Sequence, residues 1–174
     1  CLFGAVVSGP LSKVFGRKYS LIFSALLFTL SAWGSGLPAL LPETIPVLVA
    51  FRIIGGIGIG IASMNAPVYI AELAPAKIRG RMVTIYQMAI VLGFFIVFIV
   101  TYLIGSGRDE TYNLELGWRV MFWSELVPCG LFFGLLFLVP QSPRWLLLKG
   151  KEEKAFTILL KIHGEELAKT ELAE

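Results

Sequence analysis

Four uncharged runs, residues 19–42, 53–71, 82–107 and 126–143, constrain this chain more than any other feature. Each is close to the roughly 20 apolar residues that a helix needs to cross a bilayer. The runs lack period-two alternation and are too long for barrel strands, so helices are expected to satisfy their backbone N–H and C=O groups in lipid. A shorter apolar run, 1–12, precedes them. With 56% hydrophobic residues, 16% charged residues and a mean hydropathy of +0.79, the chain lies outside the range of soluble domains. The expectation is an all-α membrane protein with five spans over 1–12, 19–36, 44–71, 82–104 and 118–139. A cytoplasmic amphipathic helical segment is expected over 140–174.

The charges give the orientation. Lys13, Arg17 and Lys18 follow the first span, Lys77, Arg79 and Arg81 the third, and Arg144, Lys149, Lys151, Lys154, Lys161 and Lys169 the fifth. The other two connections, 36–46 and 106–118, hold Arg108 as their one base beside four acids. By the positive-inside rule the basic connections are cytoplasmic, as in a multi-pass protein of the plasma membrane. The same placement accounts for the net charge of +3 without nucleic acid as a partner. Residue 1 lies inside an apolar run with no basic region before it, so the run is not a signal peptide and the chain is expected to be a piece of a longer one.

The polar loops are short, so neighbouring spans are expected to be antiparallel and packed. Trp33, Trp118 and Trp145 fall near span ends, as interfacial anchors do. In the segment after Pro140, Ala155, Ile158, Leu159 and Ile162 recur at helical spacing among Lys and Glu, with breaks expected at Gly150 and Gly164. His163, the single histidine, reads as a solvated surface residue. Cys1 and Cys129 sit in apolar runs, where a thiol behaves as a small hydrophobe, so no disulfide, metal site or cofactor is expected.

Glycines at 56, 58 and 60 invite a nucleotide-binding reading, but their spacing is wrong and no polar turn opens a helix there. Gly56 and Gly60 share a helical face and are expected to admit a neighbouring helix. Arg52 lies about eight residues, or about 12 Å, into its span, and Glu125 lies seven residues after Trp118 in another inward-running span. Two opposite charges at matched depth would relieve each other's desolvation, and ionisable groups in spans mark ion or substrate pathways. The alternative is that Arg52 snorkels outward and Glu125 faces water at the rim. Gln87, whose amide both donates and accepts, suits a neutral polyol ligand or an interhelical tie, and Asn65 offers the same choice with the tie favoured. Glu72, Arg79 and Arg144, at cytoplasmic span ends on different helices, form a candidate latch.

Five separated motifs carry a family resemblance: "FGRK" at 15–18, "RIIGGIGIG" at 52–60, "PVYIAELAPAKIRG" at 67–80, "GWRVM" at 117–121 and "SPRWLLLKG" at 142–150. Together they resemble the sugar porter family of the major facilitator superfamily. Within it, "IASM", "IAELAPA" and "SPRWL" together with Glu125 are most similar to bacterial proton-coupled xylose symporters. The resemblance implies the major facilitator fold, twelve helices in two halves with the substrate between them. This chain then corresponds to helices 2–6 of the N-terminal half plus the start of the intracellular helical domain, with helix 1 and the C-terminal half as missing partners.

The resemblance also implies roles. Gln87 matches the helix-5 glutamine that hydrogen-bonds sugar hydroxyls. Arg52 matches the helix-4 arginine beside the proton-accepting aspartate of helix 1, and Glu125 the helix-6 acid found in proton-coupled members. Arg17, Glu72, Arg79 and Arg144 match the cytoplasmic charge cluster that closes the inner face. Two positions depart from the pattern: Lys13 stands where an acid is usual, and Gln141 turns the usual "PESPR" into "PQSPR". Both remove negative charge from the latch, so weaker inward closure is expected. The implied function is transport of a pentose or hexose by alternating access, coupled to a proton. A facilitative uniporter and a transporter-like sugar sensor are the alternatives, and a membrane enzyme is disfavoured because no catalytic cluster lies in or beside the spans.

Overall fold

The computed structural model describes residues 1–36, 45–75 and 77–163, with the side chain of His163 outside that set. The surface placement of His163, the break at Gly164, the residues beyond it and the Thr44 start of the third span therefore lie outside the described residues. Helix α1 (Leu2–Phe15) and helix α2 (Arg17–Ser35) meet at a single residue, Gly16, whose φ of 87° is in the left-handed region. A β-carbon there would also come within 2.6 Å of the Gln141 amide nitrogen. The turn needs glycine for its backbone and for the side chain that leans on it.

Helix α3 (Ile45–Leu73) is the hub, packed against both α1 and α2. Its glycines serve two faces. A methyl at Gly60 would overlap the Cys1 carbonyl oxygen and come within 2.7 Å of the Ala5 nitrogen, whereas methyls at Gly55 and Gly58 would meet Ser31 and Leu27 of α2. A methyl at Gly56 would come within 3.3 Å of the Cys1 nitrogen, on the same side. Small residues on the opposing helix complete the fit: Ser20, Ser24, Ala25, Ser31, Ala32 and Ser35 of α2 are all buried. Close backbone approach of this kind is how helices associate where lipid offers no hydrophobic drive.

Helix α4 (Arg79–Gly105) has no buried residue, and Phe98 on it is 74% exposed. In water such a surface would be a liability; against hydrocarbon or another part of a larger protein it is ordinary. The fifth helical stretch opens with α5 (Glu110–Tyr112), earlier than the expected start at 118, and passes through a π-turn at Asn113–Gly117. There the Asn113 amide donates to the Gly105 carbonyl at 3.2 Å, tying the stretch to the end of α4. It continues as α6 (Trp118–Ser124) and α7 (Leu126–Leu138), which are separated at Glu125. Pro128 explains the separation, since it has no N–H to give the Ser124 carbonyl and its ring crowds that oxygen.

By length and apolarity Ile45–Leu73, Arg79–Gly105 and Glu110–Leu138 are each able to cross a membrane, and Leu2–Phe15 is a shorter apolar helix. The serines that let α2 pack on α3 lower its hydropathy. A buried cluster of Leu21, Ala25, Tyr69 and Leu136 joins α2, α3 and α7. Beyond α7 come α8 (Pro143–Leu148) and α9 (Glu152–His163), which pack on one another. The expected break at Gly150 is present, with φ of 69°. Ala155 and Leu159 form the buried stripe of α9, and Ile162 is left exposed.

Candidate functional site

Two charge clusters occupy opposite ends of α3. At its C-terminal end, Glu72 accepts from the Arg17 guanidinium at 2.9 Å, with the two side chains 7% and 17% exposed. The other Glu72 oxygen accepts from the Ser142 hydroxyl at 2.5 Å. The same hydroxyl caps α8 by accepting from the Trp145 N–H, and Pro143 follows at the first helical position, an ordinary start signal. Glu72 thus joins α2, α3 and α8, and its satisfied oxygens offset part of the cost of burying charge. Arg79 and Arg144 line a cleft of about 620 Å³ beside Glu72 and make no ion pair among the described residues.

Gln141 spans the same end. Its carbonyl oxygen accepts from the Lys18 N–H at 3.1 Å, and its amide nitrogen donates to the Phe15 carbonyl at 3.4 Å. The Trp145 indole donates to the Lys13 carbonyl, the Lys18 ammonium to the Phe137 carbonyl at the end of α7, and the Tyr69 hydroxyl to the Pro140 carbonyl. The bonds of Lys13, Phe15 and Lys18 fasten the α1–α2 turn to the chain around the linker between α7 and α8, and that of Tyr69 fastens α3 to the same linker. None belongs to a periodic pattern, and sequence reasoning missed all of them; the Ser142–Pro143 cap was the one readable signal.

At the N-terminal end of α3, the Arg52 guanidinium lies 3.7 Å from the Glu125 carboxylate, with the side chains 39% and 42% exposed. Arg52 also sits over the Phe122 ring, 4.2 Å from its centroid. Glu125 occupies the break that Pro128 imposes between α6 and α7. The matched depth read from the sequence thus corresponds to a contact between helices. Nearby, Trp33 meets Phe51 edge-on, and the Trp123 indole donates to the Trp33 carbonyl, holding α2, α3 and α6 together there.

Gln87 is exposed on α4, eight residues from its first residue, and is not brought to either cluster. On helix rise alone, roughly 20 Å of axial depth separates it from Arg52. Asn65 is buried and donates to the Ser8 hydroxyl and to the Ile61 carbonyl, both at 3.0 Å, so it ties α3 to α1. Cys1 and Cys129 are free thiols, and no group of three metal-ligating side chains occurs among the described residues.

Comparison with known proteins follows the same lines. The "Sugar (and other) transporter" family matches residues 1–174. The D-xylose-proton symporter of Escherichia coli (strain K12) is 46% identical over 97% of this chain and 37% of its own length. The glucose transport protein of Synechocystis sp. is 44% identical over 92% of this chain and 35% of its own length. A solved structure of the proton:xylose symporter XylE bound to 6-bromo-6-deoxy-D-glucose superposes with a TM-score of 0.95, at 44% identity, over 99% of this chain and 39% of that one. The chain therefore spans little more than a third of the length of these relatives. A membrane-length helical bundle, a family match over the whole sequence and a superposition at this level together show that the chain belongs to the sugar transporter family of the major facilitator superfamily.

Proposed function

We propose that this chain acts as part of a transporter that carries a monosaccharide, a pentose or hexose, across the plasma membrane by alternating access, with a proton as the coupling ion. The observation that carries the coupling is the Arg52–Glu125 contact between two membrane-length helices. Ionisable groups in spans persist where ions or substrates move. Protonation of an acid near Arg52 changes what the guanidinium is drawn to, and so biases one conformation over the other. The naming of relatives as proton symporters supports the same reading.

In this reading residues 1–139 are the transmembrane part, with five spans, and 140–174 are cytoplasmic. Gln87 presents its amide to sugar hydroxyls from α4, completing a site with groups from the other half of the transporter. Arg17, Glu72, Arg79 and Arg144 form the inner gate: Arg17 and Glu72 anchor it, while Arg79 and Arg144 offer cationic groups to whatever closes over the cleft. The lipid bilayer is the remaining partner, and the membrane of residence is the bacterial inner membrane.

The test is sugar-induced alkalinisation of the medium around vesicles carrying the full-length protein. Wild type is expected to alkalinise on addition of D-xylose or D-glucose, and Glu125→Gln to lose the signal while retaining sugar exchange. Uptake without any alkalinisation in wild type would sink proton coupling and favour a facilitative uniporter.

A further inference from the structure

Phe122 lies under Arg52, beside Glu125. The distance of 3.7 Å from Arg52 to Glu125 is beyond hydrogen-bond range, whereas 4.2 Å from the guanidinium carbon to the Phe122 centroid is a full cation–π contact. Arg52 therefore has two partners on the same helical stretch, the aromatic ring in full contact and the carboxylate just outside hydrogen-bond reach.

The ring is itself held. Trp118 meets it edge-on, with centroids 6.1 Å apart and planes at 80°, and the Trp118 indole is fixed by donating to the Leu114 carbonyl at 3.1 Å. Phe122 and Glu125 are three residues apart on one helical face, and the Glu125 N–H donates to the Phe122 carbonyl at 3.1 Å. That tight turn, next to the break from Pro128, sets ring and carboxylate side by side under Arg52.

We propose that Phe122 is a positioning residue that keeps the Arg52 guanidinium in place by a cation–π contact whether or not Glu125 is charged. The proposal rests on reading Arg52 and Glu125 as coupling residues. An aromatic face attracts a cation without exchanging a proton and keeps that attraction when a neighbouring carboxylate is neutralised. Glu125 is then left outside a hydrogen-bonded ion pair, while Arg52 stays poised for an acid on another helix.

The experiment replaces Phe122 in the full-length transporter with mono-, di- and trifluorophenylalanine, which keep the shape of the ring and progressively remove its negative face. Phe122→Leu and Phe122→Tyr complete the series. Proteoliposomes are assayed in parallel for D-xylose-driven proton uptake and for labelled D-xylose counterflow. Proton uptake is expected to fall stepwise with fluorination, and in Phe122→Leu to fall about five-fold further than counterflow does, with Phe122→Tyr retaining coupling. Equal coupling in wild type, the trifluoro variant and Phe122→Leu would overturn the proposal while leaving the coupling reading intact. Absence of proton uptake in wild type removes both.

Discussion

Glu72, at the end of α3, is bonded to Arg17, the first residue of α2, at 2.9 Å, and both side chains are largely buried. The pair differs in kind from Arg52 and Glu125, which stand 3.7 Å apart and about 40% exposed. The first has the geometry of a fixed joint and the second that of a contact able to change.

Removing one member of the joint leaves the other buried without its counter-charge. Arg17→Met is expected to destabilise the protein by about 3–5 kcal/mol, because Glu72 keeps only the Ser142 hydroxyl as a partner. Thermal unfolding of the full-length protein in detergent checks this. The double variant Arg17→Met with Glu72→Gln should recover part of the loss, since it leaves no orphaned charge; a double variant worse than the sum of the two singles would contradict the account.

Gly60 is a position where α1 and α3 leave no room for a side chain. Gly60→Val forces a side chain into the Cys1 carbonyl and the Ala5 backbone, so the helices must separate, at a cost of about 1–3 kcal/mol. At Gly134 on α7 an added methyl would have no neighbouring atom within 4 Å, and Gly134→Ala is the matched control, expected to leave stability unchanged or slightly raised. The comparison is read from thermal midpoints and folded yield. Equal effects at the two positions would mean that close approach at Gly60 does not matter.

What could be read in advance was whatever repeats along a helix or a membrane normal. The helical character of the apolar runs, the Gly56–Gly60 face and the shared depth of Arg52 and Glu125 all follow from period and rise. Gly55 and Gly58 were missed as contacts to α2 because attention to one small-residue face concealed that α3 is clasped on two. Pro128 was visible, and its missing N–H could have placed a break beside Glu125; reading 118–139 as one uninterrupted span hid it. The bonds of Gln141 join residues more than a hundred positions apart, and nothing periodic announces such a contact. The family pattern even pointed elsewhere, since it marked Gln141 as a lost charge and gave no hint of a gained donor.

That last difference is testable. A glutamate at 141 could still accept from the Lys18 N–H, and its charge would suit the N-terminus of α2. It could not donate to the Phe15 carbonyl, which the Gln141 amide reaches at 3.4 Å. Gln141→Glu therefore exchanges a hydrogen bond worth about 1 kcal/mol for a negative charge at the inner face. Two measurements separate these effects. Thermal stability of the full-length protein should fall modestly in Gln141→Glu and also in Gln141→Leu, which loses both bonds. The population closed to the cytoplasm, read by accessibility of cysteines introduced on the inner side, should rise in Gln141→Glu alone, because the leucine adds no charge to draw Arg79 or Arg144 inward. If Gln141→Glu leaves that population unchanged, the charge at 141 has no part in closing the gate, and the amide serves only to fasten the α1–α2 turn.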